Sequence, residues 1–364
     1  MSILLFFLIL IVLVIVHELG HFAVAKYFGI RVDEFGFGFP PKLWGKKIGE
    51  TEYTFNALPF GGFVRIFGEA PHEGELDDTS RARSFIHKPK SVQALVLIAG
   101  IVCNILLAWV LLSAGYMIGM PVSTDYRGFG TVENVRTTIA SVVKDSPAAL
   151  AGLQANDGIT GMSVAETPSS GLSPESIQTF IKAHQNDELL IAYTRSGTDG
   201  EVRLRPQTGI VEGKAVVGIE MQESGIAVMP PYLAPLEGAR LTWNATGAIA
   251  KGLSSFFVKI FTGNANFSEV TGPVGLVGIV GDAASFGIVS LLSLIAFISI
   301  NLAVINLIPF PALDGGRLLF VAIEALKGSP LRPEITNVAN MAGFALLILL
   351  MLLVTYHDIL RLFI

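Results

Sequence analysis

Apolar residues are not spread evenly along the chain. Ile3 to Val16 form an unbroken apolar run. The run continues past His17, Glu18 and His21 through Phe22 to Ala25, and stops at Lys26. At about 1.5 Å per helical residue, it is long enough to cross a hydrocarbon core about 30 Å thick. No basic residues precede it and no small-x-small site follows it, so it reads as a span rather than a signal peptide. Further apolar runs cover about 92–120, 287–309 and 339–360. A softer stretch, Leu236 to Thr262, carries Glu237, Arg240, Lys251 and Lys259 between apolar residues, as an interfacial helix would.

Between the second and third runs the pattern changes. Residues 121–232 are polar and rich in Gly, Ser, Asp and Glu. Two alternating runs, "ELLIAYTRSG" and "EVRLRPQ", flank a turn at Ser196 to Gly200 and predict a hairpin. "SPESIQTFIKAHQ" opens on Ser–Pro and spaces Ile177, Phe180 and Ile181 as a short helix does. The expected architecture is a polytopic α-helical membrane protein with four transmembrane helices and an inserted α+β domain. The predicted boundaries are an N-terminal membrane part at 1–120, the insert at 121–232 and a C-terminal membrane part at 233–364.

Lys and Arg near the span ends give an orientation. Lys26, Arg31, Arg81, Arg83, Lys88 and Lys90 flank the first loop, and Arg317, Lys327 and Arg332 lie in the last. Both short loops are therefore expected in the cytoplasm, with the insert and both termini outside.

Composition fits this picture. Of 364 residues, 51% are hydrophobic and only 15% charged, against about 25% charged in soluble domains. A net charge of -5 gives no reason to expect nucleic-acid binding. The single cysteine, Cys103, allows no intramolecular disulfide and excludes a zinc site built on several thiolates. Within the second span it reads as a small buried apolar residue.

The candidate chemistry sits where the apolar pattern breaks. "HELGH", His17 to His21, puts two imidazoles four residues apart on one helix face. At that spacing they can share a metal ion, with Glu18 reaching a water on it as general base. An acid at membrane depth costs roughly 2.5 kcal/mol or more, which argues against an incidental polar cluster. If the span begins near Ile3, His17 lies about 21 Å along it, roughly 9 Å from the cytoplasmic side of the core. Catalytic zinc usually takes three protein ligands. The best third candidate is Asp314 in "NLIPFPALDGGR", followed by two glycines that allow close backbone approach. Taken alone, those residues also read as an aspartate capping the next helix.

Together these motifs resemble the site-2 protease family of intramembrane zinc metalloproteases, in its bacterial RseP-like branch. The resemblance covers nearly the whole chain. It implies one catalytic Zn2+ held by His17, His21 and Asp314, with Glu18 as catalytic base. It implies Asn306 as a residue that holds substrate or the developing oxyanion. "FGFGFPPKLWG" looks like the family's glycine-rich cytoplasmic loop. Residues 51–69, including "YTFNALPFGGFVRIFGE", resemble its membrane-reentrant β-hairpin, with Phe60, Gly61 and Gly62 near substrate. A strand edge there would pair with an unwound substrate. The family usually has Gly-Pro and then Asn two residues on; here the chain reads Gly100, Ile101 and then Asn104. "TGPVGLVGIVGDAASFG" matches the stretch before the third span. The insert resembles a single PDZ domain, with "NDG" at Asn156 to Gly158 in place of the familiar turn, and suits gating or partner sensing.

The implied function is cleavage of peptide bonds within single-pass membrane proteins, such as anti-sigma factors or signal-peptide remnants. The implied partners are such substrates, an upstream site-1 type protease and membrane lipid, in a bacterial cell membrane. An ion transporter would more often show inverted repeats, which are not seen here, and an adaptor would not need the His-Glu-His-Asp set. His72, His87, His184 and His357 read as solvated.

Overall fold

The structure, a computed structural model, describes residues 1–69, 77–165, 167–195, 197–211, 214–263 and 271–363. His72 lies outside them. The chain divides into two compact units. One comprises residues 1–112, 238–283 and 291–364, and the other 113–237 with 284–290.

The first unit begins with α1 (Ser2–Tyr27), then β1 (Val32–Ile48) and β2 (Thr51–Ile66). A single turn, α2 (Asp78–Ala82), leads to α3 (Lys90–Ile118). The segment expected as a cytoplasmic loop, "FGFGFPPKLWG", is part of β1. Phe35 and Phe37 alternate there with Gly36 and Gly38, which is the period of a strand. The 51–69 segment is accordingly not a hairpin by itself. Residues 34–37 of β1 pair with 62–65 of β2 on one side and with 52–55 on the other. Residues 42–48 fold back onto 51–56. The runs therefore lie in the order 42–48, 51–56, 34–37, 62–65. At the turn between the strands, Lys26 and Arg83 each place a nitrogen 2.5 Å from Glu50. These two cations hold the Glu50 carboxyl below the usual carboxylate range.

The second unit contains β3 (Met120–Ser123), β4 (Val132–Val142), α4 (Pro147–Leu150), β5 (Gly158–Val164) and β6 (Thr167–Pro168). It continues through α5 (Pro174–Ala183), β7 (Leu189–Arg195), β8 (Thr198–Leu204), β9 (Gln207–Val211), β10 (Lys214–Val216) and β11 (Ile219–Ala227). Its main sheet runs β3-β11-β4-β5-β7-β8, with β6 on β5. Ser173 caps α5 by accepting from the Ser176 amide. The helix turns Ile177 and Ile181 into a core with Ile139, Ile159, Leu189 and Ile191. Asp157, fully buried in the NDG turn, accepts from the Gln154 amide and from Arg195 Nε and Nη2 at 2.6–2.8 Å. That bidentate pair explains the acid in the turn.

The chain continues in α6 (Ala234–Phe261), α7 (Pro273–Ser285), α8 (Ile288–Leu307), α9 (Asp314–Lys327) and α10 (Pro333–Phe363). Among the described residues, four helices are long and apolar enough to cross a membrane: α1, α3, α8 and α10. The last starts earlier than the expected 339, because "PEITNVAN" is helical from Pro333, a favoured first position. The most apolar stretch of α3 is 44% buried and that of α10 only 6%. So α3 is the enclosed helix of the set, and the apolar surface of α10 suits lipid rather than water.

The ends of these helices are tied by specific groups. Lys90 at the start of α3 pairs with Glu324 of α9 at 2.6 Å, and Glu324 also accepts from the Leu331 amide. Arg317 of α9 pairs with Glu69, just past β2. Asp358, 4% exposed on α10, accepts from the Gly272 and Gly275 amides at the start of α7, at 3.1 and 2.9 Å. Replacing it with Ala strands those donors. The expected loss is about 2–3 kcal/mol of stability, given the strength of hydrogen bonds to charged groups, read as an earlier unfolding transition in detergent. His357 beside it differs from expectation. Expected to be solvated, it is only half-exposed on α10, and its Nε2 is buried.

Candidate metal centre

Three elements far apart in sequence converge here. α1 supplies His17 and His21, α9 supplies Asp314, and α3 forms the wall behind the rings. The glycines explain why they can meet. A Cβ on Gly20 would lie 2.4 Å from the Ala99 carbonyl oxygen, so α1 and α3 pack backbone to backbone only because Gly20 is bare. A Cβ on Gly100 would lie 2.4 Å from His21 Nε2 and 2.8 Å from His17 Cε1. The two rings therefore rest directly on the α3 backbone.

Asp314 is brought in by a tightly packed turn. α8 ends at Leu307, and α9 begins at Asp314 with Leu313 as its N-cap and no side-chain capping bond. So Asp314 does not cap its own helix, and its carboxylate is left for the histidines. A Cβ on Gly315 would lie 2.3 Å from the Ile308 carbonyl oxygen, and one on Gly316 would lie 2.1 Å from that of Phe310. Either side chain would push α9 off the turn. Asn340 of α10 accepts from the Ala312 amide, holding that residue at a φ of 73°.

The resulting cluster is a triangle. His17 Nε2 lies 3.0 Å from Asp314 Oδ2, His21 Nε2 lies 3.3 Å from the same oxygen, and the two nitrogens are 3.1 Å apart. Tetrahedral zinc with ligands at about 2.0–2.1 Å has ligand atoms about 3.3–3.4 Å apart, close to these spacings. His21 Nδ1 donates to the Val96 carbonyl at 2.8 Å, which leaves Nε2 with a bare lone pair aimed at the cluster. Asp314 Oδ2 is buried and makes no hydrogen bond of ordinary geometry. Two imidazole nitrogens and a carboxylate oxygen converging at these spacings fit a cation site, and nitrogen and oxygen donors suit zinc. Among the described residues this is the one group of His, Cys, Asp or Glu side chains able to hold a metal ion.

Glu18 follows His17 on α1 and is half-buried. The edge run of the sheet passes beside it. A Cβ on Gly62 would come within 2.8 Å of Val14 Cγ1 and 3.3 Å of Glu18 Cγ. Gly61 has a φ of 93°, which favours glycine. The Phe60 side chain lies outside the described residues. Asn306 stands in the last turn of α8, half-buried, eight residues before Asp314. Sequence reading misses the packing role of Gly100 and gives Asn104 no role. A glycine and a lone amide inside an apolar run are the signals that could have found them.

A buried His-His-Asp triangle among helices able to cross a bilayer defines a class, the integral-membrane metalloproteases. The chain belongs to peptidase family M50, the site-2 proteases, whose family model matches residues 5–350. It is 30% identical to the regulator of sigma-W protease RasP of Bacillus subtilis, over 98% of each chain. It is 30% identical to the zinc metalloprotease RasP of Shouchella clausii, over 100% of this chain and 99% of that one. A protein of Clostridium perfringens carrying the name zinc metalloprotease is 35% identical over 95% of each chain. The protein is therefore a zinc metalloprotease.

Proposed function

We propose that this protease cuts single-pass membrane proteins within their transmembrane segments, with His17, His21 and Asp314 holding the zinc and Glu18 as the catalytic base. The observation that carries this reading is the triangle of 3.0–3.3 Å between His17, His21 and Asp314, formed by a helix of spanning length and the helix that follows another.

Zinc held there supplies Lewis acidity, polarising the scissile carbonyl and acidifying a water. Glu18 accepts the proton of the attacking water at a carboxylate oxygen and returns it to the leaving nitrogen. Asn306 donates to the oxygen on which negative charge develops. The tight packing of α1 on α3 keeps bulk water from the rings. A helical substrate hides its carbonyls, so it must unwind before it is cut. The edge run ending in Gly61 and Gly62 offers backbone groups to such an extended segment beside Glu18, as a membrane-reentrant element. Substrates are accordingly helices weakened by glycine, proline or polar residues.

The relatives called RasP include one named as a regulator of sigma-W. This supports an anti-sigma factor as a substrate of the present chain, alongside signal-peptide remnants, after a first cut by a site-1 type protease. The bacterial relatives support a cell-membrane location, and the Lys and Arg distribution supports a site near the cytoplasmic side. The insert, a PDZ-like domain, lies outside and gates access or senses a partner. The test is comparative proteomics of membrane fractions from cells carrying wild type or Glu18→Gln. Single-pass stubs are expected to accumulate with the variant. An unchanged set of membrane fragments would sink the substrate reading.

A further inference from the structure

The geometry points to Asn104 as the positioning residue that fixes the tautomer of His17. A histidine that binds metal through Nε2 carries its proton on Nδ1, and that proton needs an acceptor. His21 has one in the Val96 carbonyl. For His17, the group facing Nδ1 is the Asn104 side-chain amide, with Nδ2 at 3.4 Å. In that orientation a donor faces the nitrogen that must itself donate, while the buried Asn104 Oδ1 has no partner. Turning the amide over removes the clash of donors and gives the buried Oδ1 a partner, because nitrogen and oxygen exchange places. Oδ1 then accepts from Nδ1–H, and His17 Nε2 is left with a lone pair for the metal.

The surroundings fit such a task. Asn104 is 0% exposed on α3, a helix of mean hydropathy 2.8 over its most apolar stretch. An amide buried there is costly unless it is used. Its own backbone carbonyl accepts from Ser299 Oγ of α8 at 2.8 Å, and Ser299 is also fully buried. That bond fixes α3 to α8 at this residue. Gly100, one turn earlier, seats both rings. So α3 contributes no metal ligand, yet sets both imidazoles: Val96 orients His21 and Asn104 orients His17.

This inference rests on His17 being a zinc ligand, which His17→Ala tests separately. The full chain is purified in detergent, and its zinc affinity is measured by competition with a chelator of known strength. Thermal unfolding of the metal-free forms is followed in parallel. Asn104→Leu keeps the volume and removes the acceptor; its zinc affinity is expected to fall about 10- to 100-fold. Asn104→Asp keeps an acceptor and is expected to stay within about threefold of wild type. Wild-type affinity in Asn104→Leu would overturn the inference. So would equal weakening in both variants, which would mean lost packing rather than a lost acceptor. If Asn104→Leu does not fold, Asn104→Asp decides alone, and a tenfold loss there overturns it. Unchanged zinc in His17→Ala would instead sink the ligand assignment.

Discussion

Glu18→Gln is expected to hold zinc as the wild type does and to cleave a single-pass substrate about 10²- to 10⁴-fold more slowly. The two halves of this result have separate causes. Zinc is retained because the triangle is made by His17, His21 and Asp314 without the Glu18 carboxylate. Cleavage is lost because an amide cannot take a proton from the attacking water or return one to the leaving nitrogen. The substitution keeps size and shape beside Gly62, where the sheet edge passes close to Glu18 Cγ. Reduced packing therefore does not account for the loss. The measurement is a time course of cleavage in detergent or nanodiscs, with zinc content determined on the same samples. Wild-type cleavage with zinc bound would remove Glu18 from its role.

Gly100→Ala is expected to weaken the metal centre's hold on zinc. The added methyl would sit 2.4 Å from His21 Nε2, the ligand atom itself, and 2.7 Å from His21 Cε1. Neither side can yield cheaply. α3 is held by Ser299 at Asn104 and by Lys90 at its start. His21 is held by Val96, and Gly20 packs on the Ala99 carbonyl. Overpacking of this kind costs about 1–3 kcal/mol. Expressed at the metal, that is about a 10- to 100-fold loss of zinc affinity. Zinc per chain after dialysis checks it, with Gly247→Ala on α6 as a control, since a Cβ there meets nothing within 4 Å. Equal zinc in both variants would contradict the packing account.

The spans are legible in the sequence because lipid demands long apolar helices, and a run such as Ile3 to Val16 suits little else. The histidines are legible because a four-residue spacing puts them on one face whatever surrounds the helix. The sheet is less so. "FGFGFPPKLWG" has the composition of a glycine-rich loop, since glycine is a poor strand former by propensity. Yet Gly36 is required in the strand: a Cβ would meet the Phe63 ring at 2.4 Å. Two segments of β2 closing around 34–37 is a long-range event that no local pattern announces. Asp314 is ambiguous for the same reason. Its motif suits a helix cap or a ligand, and only the tertiary placement of α9 against α1 leaves its carboxylate uncapped and facing two imidazoles. Asn104 stands out as polar in an apolar run, but its partner is 87 residues away.

The central claim is that two helices from opposite ends of the chain build one zinc site. Zinc content of the purified, dialysed chain, compared between wild type and Asp314→Ala, tests it most directly. The account predicts about one zinc per wild-type chain and close to none in the variant, because a catalytic site needs its third protein ligand. Wild-type zinc in a folded Asp314→Ala protein would contradict it.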